Sequence, residues 1–210
     1  MINPMAQYHM NLKYISRGGG KSVTAHAAYI SATVIQEQRT GLVFDYTKRQ
    51  SIVISGVIAP EGVPEWVHDI ETLWNHVENF EDHIAETRFR GNKDPIKNEK
   101  SLASKAQYLE TCKTGYQATF ALPLEIDSVE HFKELSERIV EECYVKEGLI
   151  TQYAIHLEEG NPHLHILATT RPWEGENFSR TRAVIEKAQV LEIRQNAARI
   201  TNEFAKEKGL

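Results

Sequence analysis

The sequence predicts an α+β fold, a five-stranded, mostly antiparallel sheet with helices packed on it. Three observations carry the prediction. Short runs rich in β-branched and aromatic residues, such as 51–59 and 116–122, alternate with longer stretches in which apolar residues recur at helical spacing. The stretch 155–167 reads as two strands folded about a polar turn at Gly160, Asn161 and Pro162, so that pair runs antiparallel. No internal repeat, low-complexity tract or linker divides the 210 residues, a length that supports one domain with a sizeable core.

Residues 7–15 alternate well enough for a first strand, and 16–21, with three glycines, form a loop. Ser22 or Thr24 can cap a helix over about 24–38, with Ala25, Ala28, Tyr29, Ala32 and Gln36 along one stripe. Small residues let a helix lie close on a sheet. Tyr29, the one large polar-tipped member, should point toward that sheet with its hydroxyl in need of a partner. Arg39-Thr40-Gly41 ends the helix, and the strand at 51–59 stops at Pro60. Pro64 opens a long helix from Glu65 to about Arg88, with Trp66, Ile70, Leu73, Trp74 and Val77 on its apolar side. The polar residues 91–100, with Asp94-Pro95, predict a loop before a short helix at 101–112. The strand at 116–122 ends at Pro123, and Asp127 or Ser128 caps a helix through about Lys146 that Gly148 closes. After the 155–167 hairpin come a loop at 173–179 and a terminal helix at 181–206. The charged helical run reaches Leu210 without a stop signal, so the chain is expected to be the N-terminal part of a longer protein.

Apolar residues at 41% and charged residues at 25% are ordinary for a globular protein. The longest apolar runs are strand-length, and the N-terminus MINPMAQYHM lacks a charged segment followed by an apolar one. A cytoplasmic protein without a membrane partner is expected. Cys112 and Cys143 are too few and too far apart for a disulfide framework or a thiolate zinc knot, and read as reduced, part-buried thiols. A net charge of −5 disfavours nucleic-acid binding by the whole surface. A local basic face can still serve. Basic residues cluster at Lys13, Arg17 and Lys21; at Lys48 and Arg49; from Arg88 through Arg90, Lys93, Lys97 and Lys100 to Lys105; and at Arg171, Arg180 and Arg182.

The hairpin carries the clearest chemistry. Side chains two apart on a strand share a face, so His163 and His165 do. Folding back brings His156 opposite them, at roughly 4.5–5.5 Å between facing side chains. Three neutral imidazole nitrogens on a rigid sheet can hold a divalent ion and leave its other positions open. The plainer alternative is a half-exposed strand face of satisfied histidines. A tyrosine on the close-packed early helix would face such a site. A free phenol ionises near pH 10, so it needs a base or a nearby cation to attack at neutral pH. Phenolate attack on a phosphodiester exchanges one ester for another, which is a reversible way to nick DNA. Tyr8, Tyr14, Tyr46, Tyr108, Tyr116, Tyr144 and Tyr153 read more easily as core or interface aromatics than Tyr29 does.

Ordered segments over most of the chain resemble the MobA/MobL family of plasmid relaxases, in the HUH endonuclease superfamily. They are Ser22-Val23-Thr24-Ala25-His26-Ala27-Ala28-Tyr29; Glu37-Gln38-Arg39-Thr40-Gly41; Asp45-Tyr46; Leu73-Trp74-Asn75-His76-Val77-Glu78 with Glu81; Ala121-Leu122-Pro123; His156; and Asn161-Pro162-His163-Leu164-His165-Ile166-Leu167-Ala168-Thr169-Thr170-Arg171. The resemblance implies a palm-like antiparallel sheet and a relaxase domain over 1–210. It implies that Tyr29 is the transesterifying nucleophile, that His156, His163 and His165 are metal ligands, and that the cofactor is Mn²⁺ or Mg²⁺. The implied substrate is single-stranded DNA at the nic site of an origin of transfer (oriT), cut through a covalent 5′-phosphotyrosyl intermediate during conjugative transfer. Accessory relaxosome proteins and a type IV secretion coupling protein are the implied partners. The motif acids are Glu37, Glu78 and Glu81. Glu78 is the preferred one to orient Tyr29 or a ligand histidine, or to accept a proton, with Glu37 and Glu81 as possible assistants. A longer basic segment at about 86–114 departs from the family pattern. Lys21, Arg88, Arg90, Lys93, Arg171 and Arg180 are the candidates for contact with DNA phosphates.

Three other readings compete. A replication initiator or transposase of the same superfamily usually carries its tyrosine after the histidines, whereas Tyr29 precedes them. A histidine-triad nucleotide hydrolase needs a further histidine where this chain has Leu167. A metal-stabilised DNA-binding module without catalysis would use the same hairpin and no nucleophile.

Overall fold

The computed structural model describes residues 10–18, 21–49 and 51–210. In chain order the elements are β1 (Met10–Ser16), α1 (Val23–Ser31), β2 (Val34–Gln36), β3 (Val43–Asp45), β4 (Ile52–Ile58), α2 (Ile70–Arg88), α3 (Pro95–Thr111), β5 (Lys113–Ala121), α4 (Val129–Cys143), β6 (Thr151–Glu158), β7 (Asn161–Thr169), β8 (Trp173–Glu174), β9 (Asn177–Phe178) and α5 (Lys187–Lys208). The architecture is α+β, as expected. Five strands form one sheet in the order β1-β5-β7-β6-β4, and every neighbouring pair is antiparallel. β2–β3 and β8–β9 are separate small hairpins.

The period-two pattern sorts the sheet into two faces. On one face Tyr116, Ala118, Phe120, Tyr153, Ile155, Leu164 and Ile166 pack against Leu135 and Ile139 of α4 and Ile200 and Phe204 of α5. On the other, Ile15, Ala154 and Leu167 meet Val23, Ala27 and Ile30 of α1 and Leu73, Trp74 and Val77 of α2. Residues 117, 119, 156, 163 and 165 therefore belong to the α1–α2 face. Cys112 and Cys143 are buried free thiols.

Four expectations need correction. The first helix ends at Ser31 rather than about 38, because Ala32 turns left-handed at φ +50°. The β-branched Thr33, Val34 and Ile35 then begin the β2–β3 hairpin, which takes Gln36 off the helix. The helix expected from Glu65 splits at Asp69. A short 3₁₀ turn covers Glu65–His68, and the Asp69 side chain caps α2 by accepting from the Thr72 N–H. Asp94-Pro95 starts a helix rather than lying in a loop. Asp94 accepts from Ile96 and Lys97 N–H groups, and Pro95 occupies the first turn, where no N–H is needed. The 173–179 loop contains the β8–β9 hairpin. Residues 7–9 of the expected first strand lie outside the described residues.

Gly148 closes the turn before β6 at φ +78°, and a Cβ there would sit 2.9 Å from the Cβ of Pro172. Gly175 is also left-handed, at φ +63°, but has open space around it. Gly148→Ala should lower the unfolding free energy by about 2–3 kcal/mol, and Gly175→Ala by about 1 kcal/mol. Urea titration of both variants checks the ordering; equal costs would show that Pro172 gives way.

Candidate active site

The β6–β7 hairpin turns through Glu159-Gly160, with Gly160 at φ +68°. This register sets His156 directly opposite His163 and Ala154 opposite His165. The three imidazoles converge, with ring centroids 4.4 Å (His156–His165), 4.8 Å (His163–His165) and 5.2 Å (His156–His163) apart. One nitrogen from each ring lies within 4.8 Å of the others, so the group could hold a metal ion.

The second nitrogen of each ring has its own neighbour. His156 Nε2–H donates to the Ile30 carbonyl at 2.9 Å, and His163 Nδ1–H donates to the Asn161 carbonyl at 2.8 Å. The Thr119 hydroxyl lies 3.4 Å from His165 Nδ1. These contacts leave His156 Nδ1, His163 Nε2 and His165 Nε2 for a ligand. His156 Nδ1 is buried without a hydrogen-bond partner among the described residues, which is the state expected of a metal-directed nitrogen. Burial lowers the pKa of His156, and the neighbouring His163 and Arg49 lower it further, against the bond to Ile30. Burial, then His156, His163 and Arg49, push His165 down to about 3. Both rings stay neutral near neutral pH, with lone pairs free to coordinate.

Two residues of β6 dock the tyrosine helix. His156 reaches the Ile30 carbonyl, and Gln152 Nε2 donates to the Ala27 carbonyl at 3.2 Å. Gln152 in turn accepts from Trp74 Nε1 at 2.6 Å, which ties in α2. Tyr29 does not point into the sheet as expected. Val23, Ala27 and Ile30 take the buried face, and Tyr29 lies half-buried on the helix flank. There it lines an open cleft of about 190 Å³ with Ala25, His26, Tyr46 and Gln117. Gln117 and Thr119 share a face of β5, so the cleft and the imidazoles open on one side of the sheet. Tyr46 meets the Tyr29 ring edge-on at 5.4 Å between centroids. The Arg49 guanidinium lies over that ring, its carbon 4.0 Å from the centroid. Burial and Lys21 lower the pKa of His26, which keeps that imidazole neutral. Nothing in the sequence marks Arg49 beyond its place in a basic pair, or His26 beyond its place in a motif.

The three motif acids are almost fully buried, at 0–1% exposure, and each has other partners. Glu78 does not act on Tyr29 or on an imidazole by hydrogen bond. Its carboxylate accepts from Arg17 Nε at 2.7 Å, and Arg39 lies 3.7 Å away. Burial raises the Glu78 pKa, against the pull of Arg17 and Arg39. Glu37 holds the start of α1 by accepting from Ser22 at 2.5 Å, from Thr24 at 3.0 Å, and from Thr40. Burial would raise the Glu37 carboxyl, but those hydroxyls and Arg39 outweigh it and hold the pKa below the ordinary range. Glu81 pairs with Arg171 at 2.7 Å and Arg182 at 2.6 Å, and accepts from the Tyr108 hydroxyl.

Arg171 is thereby removed from the DNA-contact candidates. It is 5% exposed and bonded to Glu81 and to the carbonyls of Ser179 and Arg180. Lys21, Arg88, Arg90, Lys93 and Arg180 are exposed. Arg88 lies over the rings of Phe89 and Tyr108, and Arg180 donates to the Thr87 hydroxyl at 2.9 Å. Lys93, Lys97 and Lys100 repeat at helical spacing along and just before α3, which has no buried residue. Among the described residues no helix is long and apolar enough to cross a membrane.

The MobA/MobL family model matches residues 21–90 and 96–209. The unmatched residues 91–95 fall inside the segment at 86–114 expected to depart from the family pattern, and they end at the first residue of α3. The chain is 27% identical over 210 residues to "Conjugal transfer protein TraA" of Rhizobium radiobacter, covering 95% of this chain and 17% of that protein. It is 28% identical over 170 residues to "Probable mobilization protein MobA" of Bifidobacterium longum, covering 80% and 25%. It is 43% identical over 74 residues to "Mobilization protein MobL" of Acidithiobacillus ferridurans, covering 35% and 19%. The chain therefore spans about a sixth of the length of the TraA relative, 17%. A solved structure described as "Molecular Basis of Vancomycin Resistance Transfer in Staphylococcus aureus" has a TM-score of 0.78 at 24% identity, covering 98% of this chain and 95% of that one. That likeness is one of fold.

The buried acids lead to a stability prediction. Glu81→Gln leaves the buried Arg171 guanidinium without its charge partner, so unfolding free energy should fall by about 3 kcal/mol. Urea denaturation measures it, and a drop below about 0.5 kcal/mol would mark the pair as dispensable.

Proposed function

The chain belongs to the MobA/MobL family, and on that footing we propose that it is the relaxase domain of a plasmid-mobilisation protein, with the chemistry of the HUH endonucleases. It nicks single-stranded DNA at the nic site of oriT by tyrosine transesterification and starts conjugative transfer. Accessory relaxosome proteins and a type IV secretion coupling protein are its partners. The observation that carries this reading is the bond from His156 to the Ile30 carbonyl, which joins a cluster of three imidazoles to the residue next to Tyr29.

The Tyr29 phenolic oxygen attacks the phosphorus of a DNA diester. An oxygen–phosphorus bond forms to the tyrosine as the bond to the 3′ oxygen breaks. The products are a 5′-phosphotyrosyl link and a 3′ hydroxyl, which carries the proton the phenol gives up. The neutral imidazole of His26, lining the same cleft, is an acceptor through which that proton can pass. One phosphoester replaces another, so rejoining stays energetically open. His156 Nδ1, His163 Nε2 and His165 Nε2 would hold the divalent cation, which supplies polarisation of a phosphate oxygen and takes up charge in the transition state. Of the two expected ions, Mn²⁺ suits three imidazoles better than Mg²⁺ does. Glu37, Glu78 and Glu81 act as positioning residues through α1, Arg17 and Arg171, rather than as proton carriers.

The test is a labelled oligonucleotide pool incubated with the protein and Mn²⁺, followed by denaturing electrophoresis. Wild type should retain a covalent protein–DNA adduct, and Tyr29→Phe should form none. Chelation by EDTA or His165→Ala should slow adduct formation on the order of 100-fold or more. An equal adduct from Tyr29→Phe would exclude this nucleophile, and no adduct from any variant would point to a DNA-binding module without catalysis.

The basic side of α3 supports a second contact with DNA phosphates, through Lys93, Lys97 and Lys100. Reversing all three charges should weaken binding. It should also flatten the slope of log K against log salt by about 0.7 for each single-strand phosphate that is no longer neutralised. Affinity and slope both unchanged, in fluorescence anisotropy, would return this face to ordinary surface.

A further inference from the structure

Arg49 is a half-buried cation for which the structure provides no anion among the described residues. The other guanidiniums nearest the core are matched: Arg17 faces Glu78, and Arg171 and Arg182 face Glu81. Among the described residues Arg49 makes no ion pair, and its Nε is buried without a hydrogen-bond partner. Its position is built rather than incidental. The Tyr46 N–H donates to the Thr33 carbonyl at 3.2 Å, which extends the β2–β3 pairing by one step to the residues just after α1. The Arg49 N–H donates to the Tyr46 carbonyl at 3.1 Å and fixes the turn that carries the side chain over the Tyr29 ring. Its charge is also felt at His156 and His165. It thus lies close to the phenol and within electrostatic reach of the imidazoles.

A half-buried guanidinium with a buried, unpartnered Nε has a donor to spare, and an anionic group arriving beside the nucleophile would match it. A DNA diester brings one negative charge with two non-bridging oxygens. Arginine presents Nε–H and terminal N–H donors in a planar fork that fits two such oxygens. A cation over an aromatic face is attracted to the ring, and more so as the phenol becomes phenolate.

We propose that Arg49 is a catalytic residue that binds the scissile phosphate beside Tyr29, using its unpartnered Nε and terminal nitrogens while its charged face rests on the phenol ring. The proposal rests on the nicking reading above and adds to it the group that grips the reacting phosphate from the tyrosine side.

Two measurements test it on wild type, Arg49→Gln and Arg49→Lys. The first is anisotropy of a fluorescein-labelled mixed-sequence oligonucleotide in EDTA over a salt series, which requires neither metal nor chemistry. Arg49→Gln should flatten the salt slope by about 0.7, and Arg49→Lys should keep it. The second is the single-turnover rate of adduct formation with Mn²⁺. Arg49→Gln should be slower on the order of 100-fold, with Arg49→Lys partly restored. A wild-type adduct rate in Arg49→Gln overturns the proposal. So does an unchanged salt slope, or a rate that falls only in step with a lower thermal midpoint, which marks a structural role. If Arg49→Gln does not fold, Arg49→Lys decides: a rate about 10-fold down on a wild-type slope supports the fork, and a wild-type rate overturns it. A wild type that forms no adduct fails the nicking reading and the catalytic role with it, whereas phosphate binding is judged by the salt series alone.

Discussion

The hydrogen bond from His156 Nε2 to the carbonyl of Ile30, 2.9 Å long, is the contact on which the geometry of this site depends. The last carbonyls of a helix have no partner within it. The left-handed turn at Ala32 ends α1 early and leaves the Ile30 carbonyl in that position. A buried imidazole supplies the missing donor. The same bond commits the Nε2 proton of His156 and so directs Nδ1 to the other two rings. One interaction thereby satisfies a helix end, fixes a tautomer, and locks the register between the residue after Tyr29 and the imidazole cluster. Gln152 adds a second tie one turn earlier, on an Ala27 carbonyl that also accepts from the Ser31 hydroxyl, so α1 is held on β6 at two points.

The charged pairs under α2 work at a greater distance. Arg17 stands at the end of β1, Arg171 follows β7, and Arg182 precedes α5; all three reach carboxylates on α2. Hydrophobic contact alone would let the helix slide on the sheet, since apolar surfaces have no preferred register. A guanidinium held by both oxygens of a carboxylate, as Arg171 is by Glu81, does have one. The tyrosine cleft and the histidine hairpin come from distant parts of the chain. Fixed placement of α2 against β1 and β7 keeps the layers that carry them in one arrangement.

This division of labour explains what could be read from the sequence. The hairpin is legible because its signals are local: period two, a polar turn, and three histidines within ten positions, 156–165. Tyr29 stands out by resemblance, yet its direction does not: the helix buries Val23, Ala27, Ala28 and Ile30 and leaves the phenol on its flank. Glu37, Glu78 and Glu81 stand out as motif members, but their partners do not. Nothing local shows that Arg17 will meet Glu78, sixty-one residues on, or that Arg171 will meet Glu81 across ninety. Asp94-Pro95 misleads because a proline that breaks a helix interior also favours a first turn, and only the Asp94 side chain on two N–H groups decides between the two. Arg49 reads as surface charge because the short β2–β3 hairpin that places it is hidden behind an overlong helix.

The arrangement also bears on what kind of cation site this is. A structural metal holds together ligands that would otherwise part, and it is usually enclosed by four of them. Here the three histidine positions are set by backbone pairing of β6 with β7, which lies in the middle of the sheet between β4 and β5. The frame has its own hydrogen bonds and its own core on both faces. His163 remains partly exposed, so the cluster opens outward rather than into the core. A cation bound there would have coordination positions left over on the side where Tyr29, Gln117 and Arg49 lie. That layout fits the proposed role, a metal that serves an incoming ligand, and the charge of Arg49, unpaired among the described residues, fits an anionic one.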